Sequence, residues 1–396
     1  MKSKIASLVV AVSLLAALTF PAALRAQEPA DHKNASQQPK IITFDAPGAG
    51  KGLGSLNCFG GCPGTVAVNA NAEGAVVGYY VDDSNLYHGF VRCPDGHIET
   101  FDAPGSGSLS GSAQGTVAYS INAEGAIAGQ FQDEQYRYHG FLRSPSGRFT
   151  TFDIPGVSGA NLGPSGSANI NNQGEIAGYY VDSDNVSHGF LRRPNGKIET
   201  FEVPIASTLS NFAPQGTVVA LESGLNDEGA ITGWYFDSAQ AVHGYVRNPD
   251  GTFTLFDNLD GGTGYFQGTY AGSINDEGAI TGGILNGNYV SEGFIRFPDG
   301  KMETFQAPGA AAGQGTFGVG INAFGVITAY YTDSMGVTHG SVRCPDGKIT
   351  TFDVQGAGAN PGQGTTPQGI NLKGAIPGYY TDANNVNHGF LRLPQE

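Results

Sequence analysis

Beyond its first residues the sequence has no apolar run approaching the roughly 20 residues that a membrane-spanning helix needs, so a soluble mature chain is expected. Cations are scarce as well: 20 Lys and Arg stand against 35 Asp and Glu, a formal charge of −15. Nucleic-acid backbones are gripped by basic patches, so no nucleic-acid partner is expected, and the acidity reads as solubility outside the cell. Only four cysteines occur. Cys58 and Cys62 share a Gly-rich loop and are expected to form a local disulfide, because no second Cys pair or nearby His completes a zinc site. Cys93 and Cys344 occupy one repeat position in units that are not neighbours, and are expected to stay unbridged. The sequence also lacks a phosphate-cradling loop, a nucleophile-elbow Ser, a His-Glu-x-x-His helix and a complete calcium loop. No catalytic residue, metal or cofactor is therefore assigned.

The N-terminus has the order of a secretory signal peptide: Lys2 and Lys4, an apolar run from Leu8 to Leu18, Pro21, then small residues to about Ala26. Export to the periplasm or the cell exterior is expected, with cleavage near Ala26. Cleavage would remove Lys2, Lys4 and Arg25 and no acid, deepening the charge to −18. Residues 27–39 are polar and aperiodic and read as a flexible linker. Residues 40–396 form the single expected domain.

What is abundant is glycine, 61 of 396 residues, alongside 40 Phe and Tyr, a balance that points to many short strands and turns. Self-similarity gives the decisive pattern. His-Gly-Phe begins at His88, His139, His188 and His388, with variants at His243, Glu292 and His339, at spacings of 51, 49, 55, 49, 47 and 49. Asn-x-x-Gly begins at Asn71, Asn122, Asn171, Asn226, Asn275, Asn322 and Asn371, seven times in the same phase.

Within one unit, strand A ends at Asn171, and Asn171 to Gly174 reads as a type I turn. Strand B is predicted over 176–182, strand C over 188–192 and strand D over 197–202, with Pro194-Asn-Gly turning C into D. Four antiparallel strands repeated seven times predict an all-β, seven-bladed β-propeller. The last unit stops after strand C. Residues 40–45 match strand D, so the N-terminal strand is expected to complete the blade begun by the C-terminus, which removes two exposed edges.

The repeated His-Gly-Phe resembles the bacterial extracellular repeat family HAF, named for His-Ala-Phe, although Gly replaces Ala in all seven units. The resemblance implies export and a repeated β architecture. It carries no catalytic residues.

Six units place an Asp six residues before a His: Asp82–His88, Asp133–His139, Asp182–His188, Asp237–His243, Asp333–His339 and Asp382–His388. In the fifth unit these become Asn286 and Glu292 together. The even offset is expected to set each pair opposite one another on the B–C hairpin and to pair Tyr180 with Phe190. A fastening hydrogen bond repeated in each blade is the better reading than a metal or proton-shuttling ring. Arg92, Arg143, Arg192, Arg247, Arg296, Arg343 and Arg392 follow four residues after the His position, and each is expected to meet an acid or carbonyl within its own blade.

The D–A connections vary most, so recognition is placed on their face. Its candidate ligand-binding residues are Phe59, Phe212, Glu222, Asp260, Tyr265 and Phe266. Gln114, Gln215, Gln267, Gln314 and Gln363, each opening a Gln-Gly-Thr, are expected to ring a central mouth if strand A lines it. A monomeric binding module for a glycan, peptide or exported protein is the leading expectation. The alternative is a polysaccharide hydrolase or lyase using Glu222 and Asp260.

Overall fold

The computed structural model describes residues 39–52, 62–156, 168–207, 215–221 and 223–394. Among these residues there are 28 strands and no helix. In the first unit, strand A (Gly64–Ala70), strand B (Val76–Val81), strand C (Tyr87–Arg92) and strand D (Ile98–Phe101) pair antiparallel in chain order. The later units repeat this order. In six of the seven units the start of strand A lies beside strand C of the preceding unit, in parallel, as with Tyr87 and Gly115 or Val242 and Gly268. The strand at Ile41–Phe44 pairs antiparallel with Asn387–Arg392, setting Phe44 opposite Gly389 just as Phe101 stands opposite Gly89. The N-terminal strand thus takes the strand D place beside the C-terminal strand.

One turn geometry makes the hairpins. In the B–C turn of the third unit Asn185 N donates to Asp182 O, Asp182 N donates to Val186 O, and Asn185 holds φ 64. This is a type I turn closed by a left-handed residue, which imposes a fixed register. Asp182 consequently stands opposite Val186, not His188, and the expected Tyr180–Phe190 pair does not exist. Tyr180 is opposite His188 and Gly178 opposite Phe190. The predicted register was off by two residues, an even error that leaves every side chain on its predicted face. Tyr180 stacks on His188, ring centroids 4.9 Å apart. The predicted strand C of this unit also starts earlier, at Val186, and strand D is Ile198–Phe201.

The Asn of each A–B turn does more than turn the chain. Its Oδ1 accepts the amide four residues on, as in Ala230 N to Asn226 Oδ1 at 2.8 Å. Its Nδ2 donates to the backbone carbonyl of the next unit's Asn: Asn71 to Asn122, then Asn171, Asn226, Asn275, Asn322 and Asn371 in turn. Asn371 Nδ2 then donates to Asn71 O at 2.7 Å, closing the circle. All seven side chains are buried.

Successive units pack through a second repeated device. The glycine of His-Gly-Phe lies under the strand D Phe, so a Cβ on Gly244 would come within 2.5 Å of Phe256, and one on Gly389 within 2.8 Å of Phe44. On its other side that ring carries the Arg of the following unit: Arg296 Cζ lies 4.8 Å from the Phe256 centroid, and Arg92 lies 5.2 Å from Phe44. Glu99 also pairs with Arg143 at 2.5 Å, while Glu199 pairs with Arg247 and Glu303 with Arg343. As expected, Arg92, Arg192 and Arg296 each donate to the carbonyl of the next residue in their own unit, at 3.4, 3.5 and 3.5 Å. The expectation of an acid within the same blade is corrected for Arg143, Arg247 and Arg343: strand D of the preceding unit, which supplies the ring in every case, supplies the carboxylate in these three. Cys62 is disulfide-bonded, Cys93 and Cys344 are free, and Cys58 lies outside the described residues.

Candidate functional site

A–B and C–D turns lie on one face, B–C turns and D–A connections on the other. On the second face, Phe59, Phe212 and Glu222 lie outside the described residues. Gln114, Gln215, Gln267 and Gln363 are buried and Gln314 is half-buried. Gln267 Oε1 accepts from Gly264 N, and its Nε2 donates to Gly287 O. Gln363 likewise joins Asn360 N to Asn385 Oδ1. Gln267 and Gln363 thus clamp D–A connections onto B–C turns. The Thr that follows anchors the connection too, as Thr269 Oγ1 accepts from Asn258 N at 3.0 Å.

The Asp–His pairs are two-thirds of a larger group. A second carboxylate, 14 residues after the His at the end of strand D, faces the other ring nitrogen. His243 Nδ1 lies 3.0 Å from Asp257 and its Nε2 3.4 Å from Asp237; His339 lies 2.8 Å from Asp353 and 3.4 Å from Asp333. Asp102, Asp153 and Glu202 serve His88, His139 and His188 in the same way, and Asp45 serves His388 from the N-terminal strand. The constant Phe-Asp or Phe-Glu ending of strand D carried this signal in the sequence. In the fifth unit all three members change, to Asn286, Glu292 and Gln306. An imidazole can donate from both nitrogens only when protonated, so Asp–HisH⁺–Asp bears one net negative charge, the same as Asn–Glu–Gln.

Hydrogen bonding to Asp102 holds the His88 pKa above its ordinary value, and Asp257 does the same for His243. Burial works downward on His188, but its bonds to Glu202 and Asp182 outweigh it, so its pKa is also raised. Burial works upward on Asp133, yet backbone and side-chain donation from Arg137 and the His139 contact bring it to about 2. Raised imidazoles contribute stability that is complete below pH ~6.5 and is lost as pH climbs through their folded values. Depressed carboxylates contribute stability that is present above pH ~3.8 and is lost as pH falls through theirs. The melting temperature is therefore expected to peak between about pH 4 and 6.5 and to decline toward pH 8.5. Asp182→Ala should lower it by about 1.5 kcal/mol of stability and shallow the alkaline decline. A melting temperature that rises from pH 6.5 to 8.5 would contradict this assignment.

The connection after the fourth unit presents an exposed shelf. Tyr265 is 49% exposed, Tyr289 52% and Leu259 100%. Tyr289 Oη donates to Tyr265 O at 3.0 Å, and the Tyr265 ring meets Phe266 edge-on with centroids 4.3 Å apart. Half-buried Phe266 anchors the shelf edge-on against Phe236 at 5.6 Å. Asp260 sits beside it in an exposed turn, its amide bonded to Asn258 Oδ1. Tyr289, on the neighbouring B–C turn, had no distinguishing sequence signal.

Toward the axis, strands A of adjacent units bond directly near their ends: Ile170 N donates to Ser120 Oγ, and Asn169 Nδ2 to Ala220 O. The wall therefore narrows at the A–B face and widens toward the D–A face. Its upper part carries the fourth residue of every strand B: Tyr79, Gln130, Tyr179, Trp234, Gly283, Tyr330 and Tyr379. Phe317 fills the place above Gly283 and stacks on Tyr330, centroids 5.8 Å apart. Tyr119 Oη accepts from Gln130 Nε2 at 3.0 Å. Burial pushes the Tyr79 and Tyr119 phenols well up, and Tyr87 and Tyr179 up to about 12. The main titratable neighbours of Tyr79 are Tyr87 and Tyr379, and those of Tyr119 are Tyr79, Tyr179, Tyr138 and Tyr87. These phenols thus link neighbouring units in a series, the seventh with the first, the first with the second and the second with the third.

Among solved structures the chain is similar to BP39L lectin from Burkholderia pseudomallei, with 8% identity, a TM-score of 0.54, and coverage of 84% of this chain and 97% of that one. The chain is a β-propeller. It is also similar, at a TM-score of 0.44 and 13% identity, to TolB from Acinetobacter baumannii, covering 69% of this chain and 62% of that chain. A lectin from Aleuria aurantia aligns with a TM-score of 0.42 and 11% identity over 72% of this chain and 93% of that one. No protein-family model and no curated protein matches the sequence.

Proposed function

We propose that this chain is an exported, seven-bladed β-propeller that binds carbohydrate on its D–A face. Seven blades are supported by the seven-membered asparagine circle, and export by the signal-like N-terminus together with the disulfide at Cys62. The repeated His-Gly-Phe, with its resemblance to the HAF family, agrees with both. BP39L, which shares the fold, is a lectin.

The observation that carries the ligand class is the Tyr265–Tyr289 shelf. Large apolar side chains left in water at a built, hydrogen-bonded surface mark interaction sites. Tyrosine offers a rigid apolar face with a hydroxyl at its edge, and a pyranose offers the complement, an apolar C–H face rimmed by hydroxyls. Neither ring has a packing role that requires its exposure. The glycan-array profile of the mature protein is expected to lose hits with Tyr265→Ala/Tyr289→Ala at an unchanged melting temperature. A profile unchanged in this variant, or an array with no hits, counts against the reading.

A further inference from the structure

We propose that the aromatic collar around the axis is a second site, separate from the Tyr265–Tyr289 shelf, which takes an uncharged, hydroxyl-rich ring ligand such as a neutral saccharide unit. Six of the seven strand B positions bear Tyr, Trp or Gln, and Phe317 of the sixth unit fills the seventh, so the wall is continuous. Tyr79, Tyr119, Tyr179, Trp234, Tyr330 and Tyr379 are all half-buried, although the interior had apolar residues to offer in their place. Large aromatics are retained at partial exposure where one end must stay wet.

The collar is two-sided in chemistry. From the seventh unit through the third it presents the phenols of Tyr379, Tyr79, Tyr119 and Tyr179 with the Gln130 amide, groups that both donate and accept. From the fourth through the sixth it presents Trp234, packed 5.6 Å from Tyr270, and Phe317 stacked on Tyr330, where only Tyr330 adds a hydroxyl. An arc for hydrogen bonding faces an arc for stacking, which suits a ring with one apolar face and polar edges. A phenol is uncharged at neutral pH, so the hydrogen-bonding arc carries no charge. It offers no cation to an acidic sugar, and the net charge of the chain opposes one. Uncharged ligands are thereby selected.

Trp234 is the only tryptophan in the chain and lies in this wall, so ligand at the collar reports itself. The experiment titrates the mature protein with a panel of neutral monosaccharides and their uronic acids, following tryptophan emission. At least one neutral sugar is expected to give a saturable change, and its uronic acid a change at least tenfold weaker in affinity. Tyr79→Phe/Tyr119→Phe keeps the rings and removes two hydroxyls, and should weaken binding about tenfold or more. Tyr179→Phe is the substitute should that pair fail to fold. Tyr265→Ala/Tyr289→Ala should leave the titration unchanged, which separates this site from the shelf. The proposal is overturned by a panel without saturable response, by equal affinity for uronic acids, or by unaltered affinity in the phenol variants. A titration lost with the shelf variant and kept in the phenol variants would overturn the axial site alone, whereas an array profile unchanged by loss of the shelf would overturn the shelf alone.

Discussion

Replacing Asn226 by Ala is expected to cost about 3 kcal/mol of unfolding free energy, although no residue at this turn belongs to the hydrophobic core. Two hydrogen bonds go at once. Ala230 N loses Asn226 Oδ1, at 2.8 Å its side-chain acceptor, and Asn275 O loses the Asn226 amide at 3.0 Å. The Asn275 carbonyl keeps the Gly278 amide, whereas the Ala230 amide is left buried against its own turn. An unsatisfied buried donor costs about 1–3 kcal/mol, and a broken inter-unit bond adds to it. Asn226→Asp separates the two contributions. It keeps the acceptor for Ala230 but sets a carboxylate against the Asn275 carbonyl, so it should destabilise at neutral pH and recover as the solution is acidified. Denaturant unfolding of both variants at pH 4.5 and 7.5 measures this. An Asn226→Ala protein as stable as the parent would remove the asparagine circle from the account of what joins the units.

The second large effect is expected at the glycine of the repeated triplet. Gly244→Ala adds one methyl group, yet should destabilise by about 3 kcal/mol, because the new Cβ would lie 2.5 Å from Phe256 Cε2. Overpacking of a closed interior costs roughly 1–3 kcal/mol and occasionally more. The Phe256 ring has no room to retreat: it meets Phe294 edge-on and carries Arg296 on its far face, with the guanidinium 4.8 Å from the centroid. Displacing the ring therefore also disturbs the contact between two units. Phe256→Ala alone should cost about 4 kcal/mol through the cavity it leaves. In the double variant the methyl group occupies vacated space, so the combined loss should fall short of the sum by about 2 kcal/mol. Strict additivity would mean that Gly244 and Phe256 do not compete for the same volume. The same close approach to a strand D Phe recurs at Gly89, Gly140, Gly189, Gly293 and Gly340.

The parts of this architecture that could be read from one repeat were those that recur within it. Turn residues, strand order and the place of Ile41–Phe44 followed from the phase of Asn-x-x-Gly and His-Gly-Phe. What escaped were contacts between units. The Asn of each turn was legible as a turn former, but its Nδ2 reaches a carbonyl 47 to 55 residues away, which no spacing within a repeat announces. Arg143 finds Glu99 and Phe101 in the preceding unit for the same reason. The misplaced Tyr180–Phe190 pair had another origin, since hairpin registers that differ by two residues give the same alternation, and only the left-handed φ at Asn185 selects one. The Gln of Gln-Gly-Thr could be read from one repeat either as turn packing or as a recognition group, and Gln363 is buried where strand A lies against the neighbouring unit. At the candidate site, Tyr265 and Phe266 stood out because they break the repeat. The collar tyrosines obey it, so nothing within one repeat sets them apart.

The central claim is that the circle is sealed by Ile41–Phe44 lying as the outer strand beside Asn387–Arg392, and residue-resolved hydrogen–deuterium exchange tests it directly. The account predicts that amides of 41–44 bonded to that strand exchange as slowly as those of 387–392, and that both sets open together in denaturant. Exchange of 41–44 within seconds, while 387–392 stays protected, would contradict it.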